Sequence, residues 1–166
     1  MRDAELECFG ADESDLVLKT TAYKCLVCHT GDVVQSPDNK EDDIFMIYTR
    51  DGTLTAKHLE YRCNNRRLPC RAGHYHGFVS MGENGNEDKP RCYHKFALKN
   101  EYLVTSSQTA FSVPYLWDCL LQKVFSNASF ESLSKIYNNL PDDIMMRRVE
   151  VNRKRITEAT FLFAYL

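Results

Sequence analysis

The sequence predicts an α+β fold, with a β-rich half at residues 15–105 followed by a three-helix half at residues 108–166. Short runs of alternating apolar and polar residues, separated by turn formers, fill the first part of the chain. Three runs with helical spacing, each preceded by a capping residue, fill the second part. A chain of 166 residues can form one domain or two small units that share a core, and residues 1–14 are expected to be an acidic lead-in.

The strongest strand signal is a hairpin. Strand-like runs over residues 44–50 and 53–61 flank Asp51-Gly52, a pair that favours a two-residue type I′ turn. Polar, turn-rich residues between Cys28 and the hairpin predict a loop or a short strand. Further strands are predicted at residues 15–24, 73–79, 91–97 and 101–105.

Three helices are predicted from their caps. Ser112, Ser129 and Asn152 can each cap a helix, and these helices would end near residues 125, 137 and 166. Pro114 suits the first turn of the first helix. The third helix ends in the apolar run 161–166, which leads us to expect a truncated helical region whose next element would pack there.

Two cysteine pairs predict a metal site in the β-rich half. The chain has seven cysteines and no visible export signal, so metal binding is favoured over disulfides. Cys25 and Cys28 have the C-x2-C spacing of a tight metal-binding turn, and Cys63 and Cys70 lie beyond the hairpin. Four thiolates in a closed tetrahedron indicate structural Zn2+, which would stabilise a small ribbon-like β region.

Other arrangements of these groups stay open. His74, His76, Cys92 or His94 could replace a member of the second pair, or the four together could form a second site. The histidines could instead share one solvent-exposed strand face. A C-x2-C pair also occurs in redox proteins, but that function requires a βαβ setting, whereas a polar loop follows Cys28.

Catalytic motifs are missing from the sequence. There is no H-E-x-x-H, Walker A loop, G-x-G-x-x-G or G-x-S-x-G. His58 and Glu60 have H-x-E spacing, but no P-C-x-x-C follows them. We therefore expect a chain that is not an enzyme and takes no small-molecule substrate.

Charge is unevenly distributed along the chain. The net charge is −2, yet residues 61–100 hold eight basic and three acidic residues. This local excess could attract phosphate. No uninterrupted apolar run reaches the length of a membrane span, so an intracellular protein without a membrane segment is expected. The three helices are compatible with a helix-turn-helix unit, but the apolar faces of the third favour a packing role.

Several runs resemble the cysteine-cluster domain found before KDZ transposases. They are C-R-A-G-H-Y-H-G at 70–77, T-S-S-Q-T-A-F at 105–111 and F-S-N-A-S-F-E at 125–131, and the resemblance spans roughly residues 20–166. It implies a zinc-chelating domain with an RNase-H-like catalytic domain downstream, outside this chain. Carried over residue by residue, it implies Cys25, Cys28, Cys63 and Cys70 as zinc ligands and His76 as a helper.

The expected function is that of a non-catalytic zinc-binding accessory module of a KDZ-type mobile-element protein in the nucleus. DNA contact is expected through the basic residues beside the second cysteine pair: Arg62, Arg66, Arg67 and Arg71. The alternative is a zinc-stabilised protein-interaction or structural module that binds no nucleic acid.

Overall fold

A computed structural model describes residues 16–39, 45–65, 70–81, 90–95, 97–140 and 148–166. Two β-sheets precede three α-helices in this part of the chain, which confirms the α+β prediction. The strands are β1 Val17–Leu18, β2 Val33–Gln35, β3 Phe45–Tyr48, β4 Thr53–His58, β5 Tyr61–Cys63, β6 Gly73–His74, β7 Phe78–Ser80, β8 Arg91–Tyr93, β9 Tyr102–Val104 and β10 Thr109–Ser112. The helices are α1 Val113–Phe125, α2 Phe130–Asn139 and α3 Arg153–Tyr165, and a 3-10 turn covers Ala97–Lys99.

The first sheet has the strand order β1-β4-β3-β10-β9. Its centre is the hairpin β3–β4, and β10 lies parallel to β3 on the other side. The second sheet has the order β2-β5-β6-β7-β8, and all its neighbouring strands are antiparallel. Along the described strands, the chain therefore passes from one sheet to the other four times, after β1, β2, β4 and β8.

The predicted hairpin is present, but its turn lies one residue earlier than expected and is not type I′. Arg50 and Asp51 form the tip, because Thr49 N–H donates to the carbonyl of Gly52 across it at 2.9 Å. A type I′ turn needs positive φ at both central residues, and none of Arg50, Asp51 and Gly52 has one. The hydroxyl of Thr49 instead accepts the N–H groups of Asp51 and Gly52, each at 3.2 Å, which stabilises a different turn.

Three other strand predictions need correction. The strand expected at 15–24 pairs with β4 only at Val17–Leu18, since the chain then leaves β4 for the first cysteine pair, where Lys24 forms an isolated β-bridge with Asp32. The strand expected at 73–79 is two strands, β6 and β7, joined by a turn. The strand expected at 91–97 ends at Tyr93, since His94 N–H donates to the carbonyl of Gly77 and the 3-10 turn begins at Ala97. In addition, strand β10 was not predicted at all.

The helix caps are confirmed. The side chains of Ser112, Ser129 and Asn152 accept N–H groups three residues ahead, as N-caps do. The helices cover the first sheet with a core that includes Tyr48, Phe111, Leu116, Tyr137, Ile156 and Phe163. No helix in the described ranges is both long enough and apolar enough to cross a membrane.

Candidate metal centre

The first cysteine pair lies on a tight loop that its own backbone closes. Cys25 N–H donates to the carbonyl of Gly31 at 2.8 Å, and His29 N–H donates to the carbonyl of Cys25 at 2.9 Å. His29 turns the chain with a φ of 59°, in the left-handed region. The loop therefore returns on itself within seven residues, and the thiols of Cys25 and Cys28 face the same side.

Pairing within the second sheet brings the second cysteine pair to this loop. Strand β2 directly follows the loop and pairs with β5, so that Val33 lies opposite Cys63. Asn64 N–H donates to the carbonyl of Asp32 at 2.8 Å and extends that pairing. Cys63 N–H donates to the carbonyl of Ala72 at 3.3 Å, which places the chain just after Cys70 beside β5. The sheet thus joins two cysteine pairs that are distant in sequence.

The four sulfur atoms form a compact group of the size that a metal ion requires. Cys25 Sγ lies 3.6 Å from Cys70 Sγ, and Cys28 Sγ lies 3.6 Å from Cys63 Sγ. All four sulfurs lie within 4.8 Å of one another. A tetrahedral ion with metal–sulfur bonds of about 2.3 Å separates its sulfurs by about 3.8 Å. The residues present therefore fit a four-thiolate metal site.

Backbone amides solvate the sulfur of Cys25 in the way that metal-bound thiolates require. Val27 N–H and Cys28 N–H approach Cys25 Sγ at 3.4 and 3.5 Å. These contacts arise from the C-x2-C turn itself, because the chain curls around the first sulfur. Cys25 is fully buried, so these amides would stand in for water around the sulfur when it coordinates a metal.

The sulfur of Cys28 has a richer set of donors. Gly31 N–H approaches it at 3.4 Å, and the side chains of Thr30 and Asn65 each approach it at 3.6 Å. Hydrogen bonds from the backbone of Thr30 and of Gly31, followed by those side chains, lower the pKa of Cys28 to about 5. Cys28 is therefore a thiolate at neutral pH even before a metal binds.

Burial has the opposite effect on the second pair. Desolvation is the main cause that raises the pKa of Cys63 to about 12, and desolvation also raises the pKa of Cys70. A metal ion must displace protons from these two thiols, because thiolates are the species that coordinate. The site therefore combines Cys28, which is already a thiolate, with Cys63 and Cys70, which lose their protons when the metal ion binds.

His74 is close enough to Cys28 for the two side chains to interact electrostatically, although sequence reasoning allowed His74 a solvent-exposed face. It is fully buried, and burial lowers the pKa of its imidazole. Neither ring nitrogen has a hydrogen-bond partner among the residues described. The exposed-face alternative is therefore wrong for His74, because β6 pairs on both sides within the second sheet.

The other alternative ligands do not join the four cysteines. His76 directs its two ring nitrogens at the carbonyls of Lys19 and Tyr102, at 3.3 and 3.2 Å. Cys92 is exposed on β8, and His94 is half-buried after it. Among the described His, Cys, Asp and Glu side chains, only the four cysteines gather closely enough to hold an ion.

The basic residues beside the second pair have different surroundings. Arg62 forms ion pairs with Asp38 at 2.9 Å and Glu60 at 3.2 Å, and the hydrogen bond that Arg62 donates to the Glu60 carboxylate is the main cause that raises the pKa of Arg62. Arg71 is exposed next to Cys70. Arg66 and Arg67 lie outside the described residues.

Gly31 is a functional position that sequence reasoning missed. A Cβ built on it would lie inside 3.0 Å of Cys63 Sγ and 2.9 Å from Asn65 Cβ. Only glycine lets the first loop approach the second cysteine pair this closely. The signal was present in the sequence, since a glycine three residues after a C-x2-C pair suits a loop that closes on sulfur.

Comparisons with protein-family models, with curated proteins and with solved structures find no match for this chain. The geometry of the four thiols is therefore the main evidence for function.

Proposed function

We propose that this chain is a non-catalytic module organised by one structural zinc ion on Cys25, Cys28, Cys63 and Cys70. The observation that carries the proposal is the spacing of the four sulfurs, which matches a tetrahedral thiolate site. Among the metals that cells supply to thiolates, Zn2+ suits this geometry and has no redox chemistry. Four protein ligands would leave no position for a water or a substrate, so the ion would stabilise the fold.

The resemblance to the domain that precedes KDZ transposases extends this proposal. In that setting the chain would be an accessory module of a mobile-element protein, would act in the nucleus, and would contact DNA beside the zinc site. Arg71 supports this proposal, since it is exposed directly after Cys70. Arg62 is held in ion pairs with Asp38 and Glu60, so a phosphate at Arg62 would compete with these two carboxylates.

A second candidate function is a protein-interaction or structural module that binds no nucleic acid. Large apolar side chains on the outer face of α1 and on α3 favour it. Trp117 is 50% exposed, Val124 64%, Phe125 81% and Phe161 63%. Exposed apolar side chains grouped in this way are typical of protein contact surfaces.

Mass spectrometry under non-denaturing conditions tests the zinc site. We expect one zinc ion per chain, lost in Cys25→Ser and in Cys63→Ser. Cys92→Ser is the matched control, because Cys92 is exposed and outside the thiol group, and it should keep the ion. Zinc retained in either of the first two variants would remove that residue from the ligands and refute a shared site.

Salt dependence of DNA binding separates the two candidate functions. Binding to a duplex through phosphates should weaken between 50 and 200 mM salt by about 3.5-fold for each phosphate contact, because the logarithm of the affinity falls with the logarithm of the salt concentration with a slope of about −0.9 per contact. Replacing Arg66 and Arg67 with Ala should weaken it further, while Arg153→Ala, on an exposed helical residue far along the chain, should not. The absence of duplex binding at low salt would leave the protein-interaction module as the function.

A further inference from the structure

The four thiols of the metal centre meet in two contacts that cross from one cysteine pair to the other. Cys25 Sγ lies 3.6 Å from Cys70 Sγ, and Cys28 Sγ lies 3.6 Å from Cys63 Sγ. These two cross-pair contacts share no sulfur, so both can close into disulfides in the same chain. A bond between Cys25 and Cys28 would instead stay within one loop.

Backbone hydrogen bonds also join the two cysteine pairs. Strand β2 pairs with β5, so that Val33 lies opposite Cys63. Asn64 N–H donates to the carbonyl of Asp32 at 2.8 Å and continues this pairing. Two thiols whose sulfurs already touch need only small side-chain movements to reach disulfide geometry. Both cross-pair contacts can therefore become bonds while β2 stays beside β5.

Three hydrogen-bond donors surround the sulfur of Cys28, which is partly exposed, whereas Cys25 is fully buried. Gly31 N–H approaches Cys28 Sγ at 3.4 Å, and the side chains of Thr30 and Asn65 approach it at 3.6 Å. Donors directed at a sulfur stabilise its thiolate. An accessible thiolate beside a second cysteine is the arrangement that peroxides oxidise to a disulfide. Cys28 is therefore the point at which an oxidant enters the thiol group.

We propose that the thiol group is a site of reversible oxidation by hydrogen peroxide, at which two cross-pair disulfides replace the zinc ion as the link between the loops. The inference deepens the proposed function and rests on it, because the ion that leaves is the structural zinc. The four thiolates give up four electrons, two for each disulfide. Two molecules of hydrogen peroxide take up these electrons and four protons, become four molecules of water, and Zn2+ is released.

Each disulfide forms in two steps. The sulfur of Cys28 attacks one peroxide oxygen, the O–O bond breaks, and the other oxygen leaves as water once protonated, so that Cys28 becomes a sulfenic acid. The sulfur of Cys63 then attacks this sulfur, the S–O bond breaks, and the second water leaves. Cys25 and Cys70 react in the same way with the second peroxide. A small thiol such as glutathione restores the thiols by exchange, with two molecules consumed for each disulfide.

The oxidised chain keeps a covalent link where the ion was. The disulfides would join residues 35 and 45 positions apart in sequence. Disulfides that close long loops stabilise a fold because they restrict the unfolded chain. Oxidation therefore removes the ion and leaves the loops joined, whereas a chelator removes the ion and leaves no link between them.

Peroxide titration of the zinc-loaded chain tests this inference, with released zinc measured by a chromophoric chelator and disulfides mapped by peptide mass spectrometry. We expect one zinc ion released for every two peroxides consumed, both cross-pair disulfides in the digest, and recovery of zinc binding after glutathione. A sulfenic-acid probe added early should label Cys28 first. Amide hydrogen exchange in β2 and β5 should stay slow after oxidation, and its protection should be lost after chelation.

Cys92→Ser is the matched control, because Cys92 is exposed and outside the thiol group, and it should release zinc at an unchanged rate. Disulfides within the pairs, between Cys25 and Cys28 and between Cys63 and Cys70, would overturn the inference. Sulfinic acids in place of disulfides, or zinc retained at full oxidation, would overturn it as well. Zinc content before peroxide is added reports on the proposed function, and the disulfide map reports on this inference, so the two can fail separately.

Discussion

Replacement of Gly31 by Ala is the sharpest test of the metal centre, because it adds one methyl group at the point of closest approach. The new Cβ would lie inside 3.0 Å of Cys63 Sγ. Gly31 has no positive φ, so alanine can adopt its backbone conformation. The hydrogen bonds of Gly31 with Cys25 and Cys28 involve only the backbone of Gly31, so an alanine at this position can form them as well. The perturbation is therefore steric.

The magnitude follows from the contact distance. Non-bonded carbon atoms pack at about 3.5–4.0 Å, so Cys63 Sγ or the loop must move by roughly 1 Å. Metal–ligand distances tolerate changes of only about 0.2 Å. Overpacking of a well-packed site costs about 1–3 kcal/mol, and this corresponds to roughly 5- to 150-fold in affinity. We expect zinc affinity to fall within this range.

Competition with a chromophoric chelator measures that affinity directly. Gly73→Ala is the matched control, since its Cβ would meet only the ends of the Glu60 and Tyr75 side chains, at 3.0 Å. Such side chains can move, so this variant should keep its zinc affinity within about twofold while losing some stability. If Gly31→Ala bound zinc as tightly as the unmodified chain, the described approach of the loop to Cys63 would be refuted.

Three further measurements probe the thiols, a buried imidazole and the helical core. Zinc binding at pH 7 should release at least two protons, because burial raises the pKa of Cys63 and Cys70. Calorimetry in buffers of different ionisation enthalpy counts the released protons. Zinc binding without any proton release would contradict the raised pKa of these two thiols. Burial lowers the pKa of His58 from 6.5 to about 4, so protonation of its imidazole opposes folding. The free energy of unfolding is therefore highest above pH 6.5 and should fall by about 3 kcal/mol as the pH falls towards 4. His58→Phe should flatten that part of a denaturation-versus-pH curve measured at constant zinc content, and an unchanged slope would exclude His58 as the cause. Ile156→Ala should cost about 2–5 kcal/mol in urea unfolding, whereas Ile136→Ala, at a side chain that is 49% exposed, should cost well under half as much; equal costs would contradict the described core.

Sequence reasoning succeeded where structure is set by nearby residues. The caps at Ser112, Ser129 and Asn152 depend on hydrogen bonds that span three residues, and all three form. The hairpin β3–β4 is equally local. The grouping of the cysteines followed from thiol chemistry, since C-x2-C spacing indicates a ligand pair before any sheet is known.

Sequence reasoning failed where the outcome depends on distant contacts. Strand β10 is four residues long and runs directly into α1, and it is a strand because β3 and β9 pair with it on either side. No local pattern marks such a strand. His74 and His76 were expected to share an exposed face because they alternate along one predicted strand. This expectation is wrong because β6 ends at His74. The chain then turns, with Tyr75 N–H donating to the carbonyl of Phe78 at 3.0 Å.

The distribution of buried apolar side chains explains why a metal would be needed at one end of the second sheet. At the β7–β8 end, Phe78 belongs to an apolar core shared with the first sheet, and Tyr93 donates its hydroxyl to the carbonyl of Val104 at 2.7 Å. Beside the cysteines, the buried apolar side chains are small: they are Ala72, which precedes β6, and Val79, which alternates with Phe78 along β7. So little apolar area cannot offset the conformational entropy of ordering two loops and three short strands. Four metal–thiolate bonds would supply what is missing there, so loss of the ion should loosen the β2–β5 end and leave the helices packed on the first sheet.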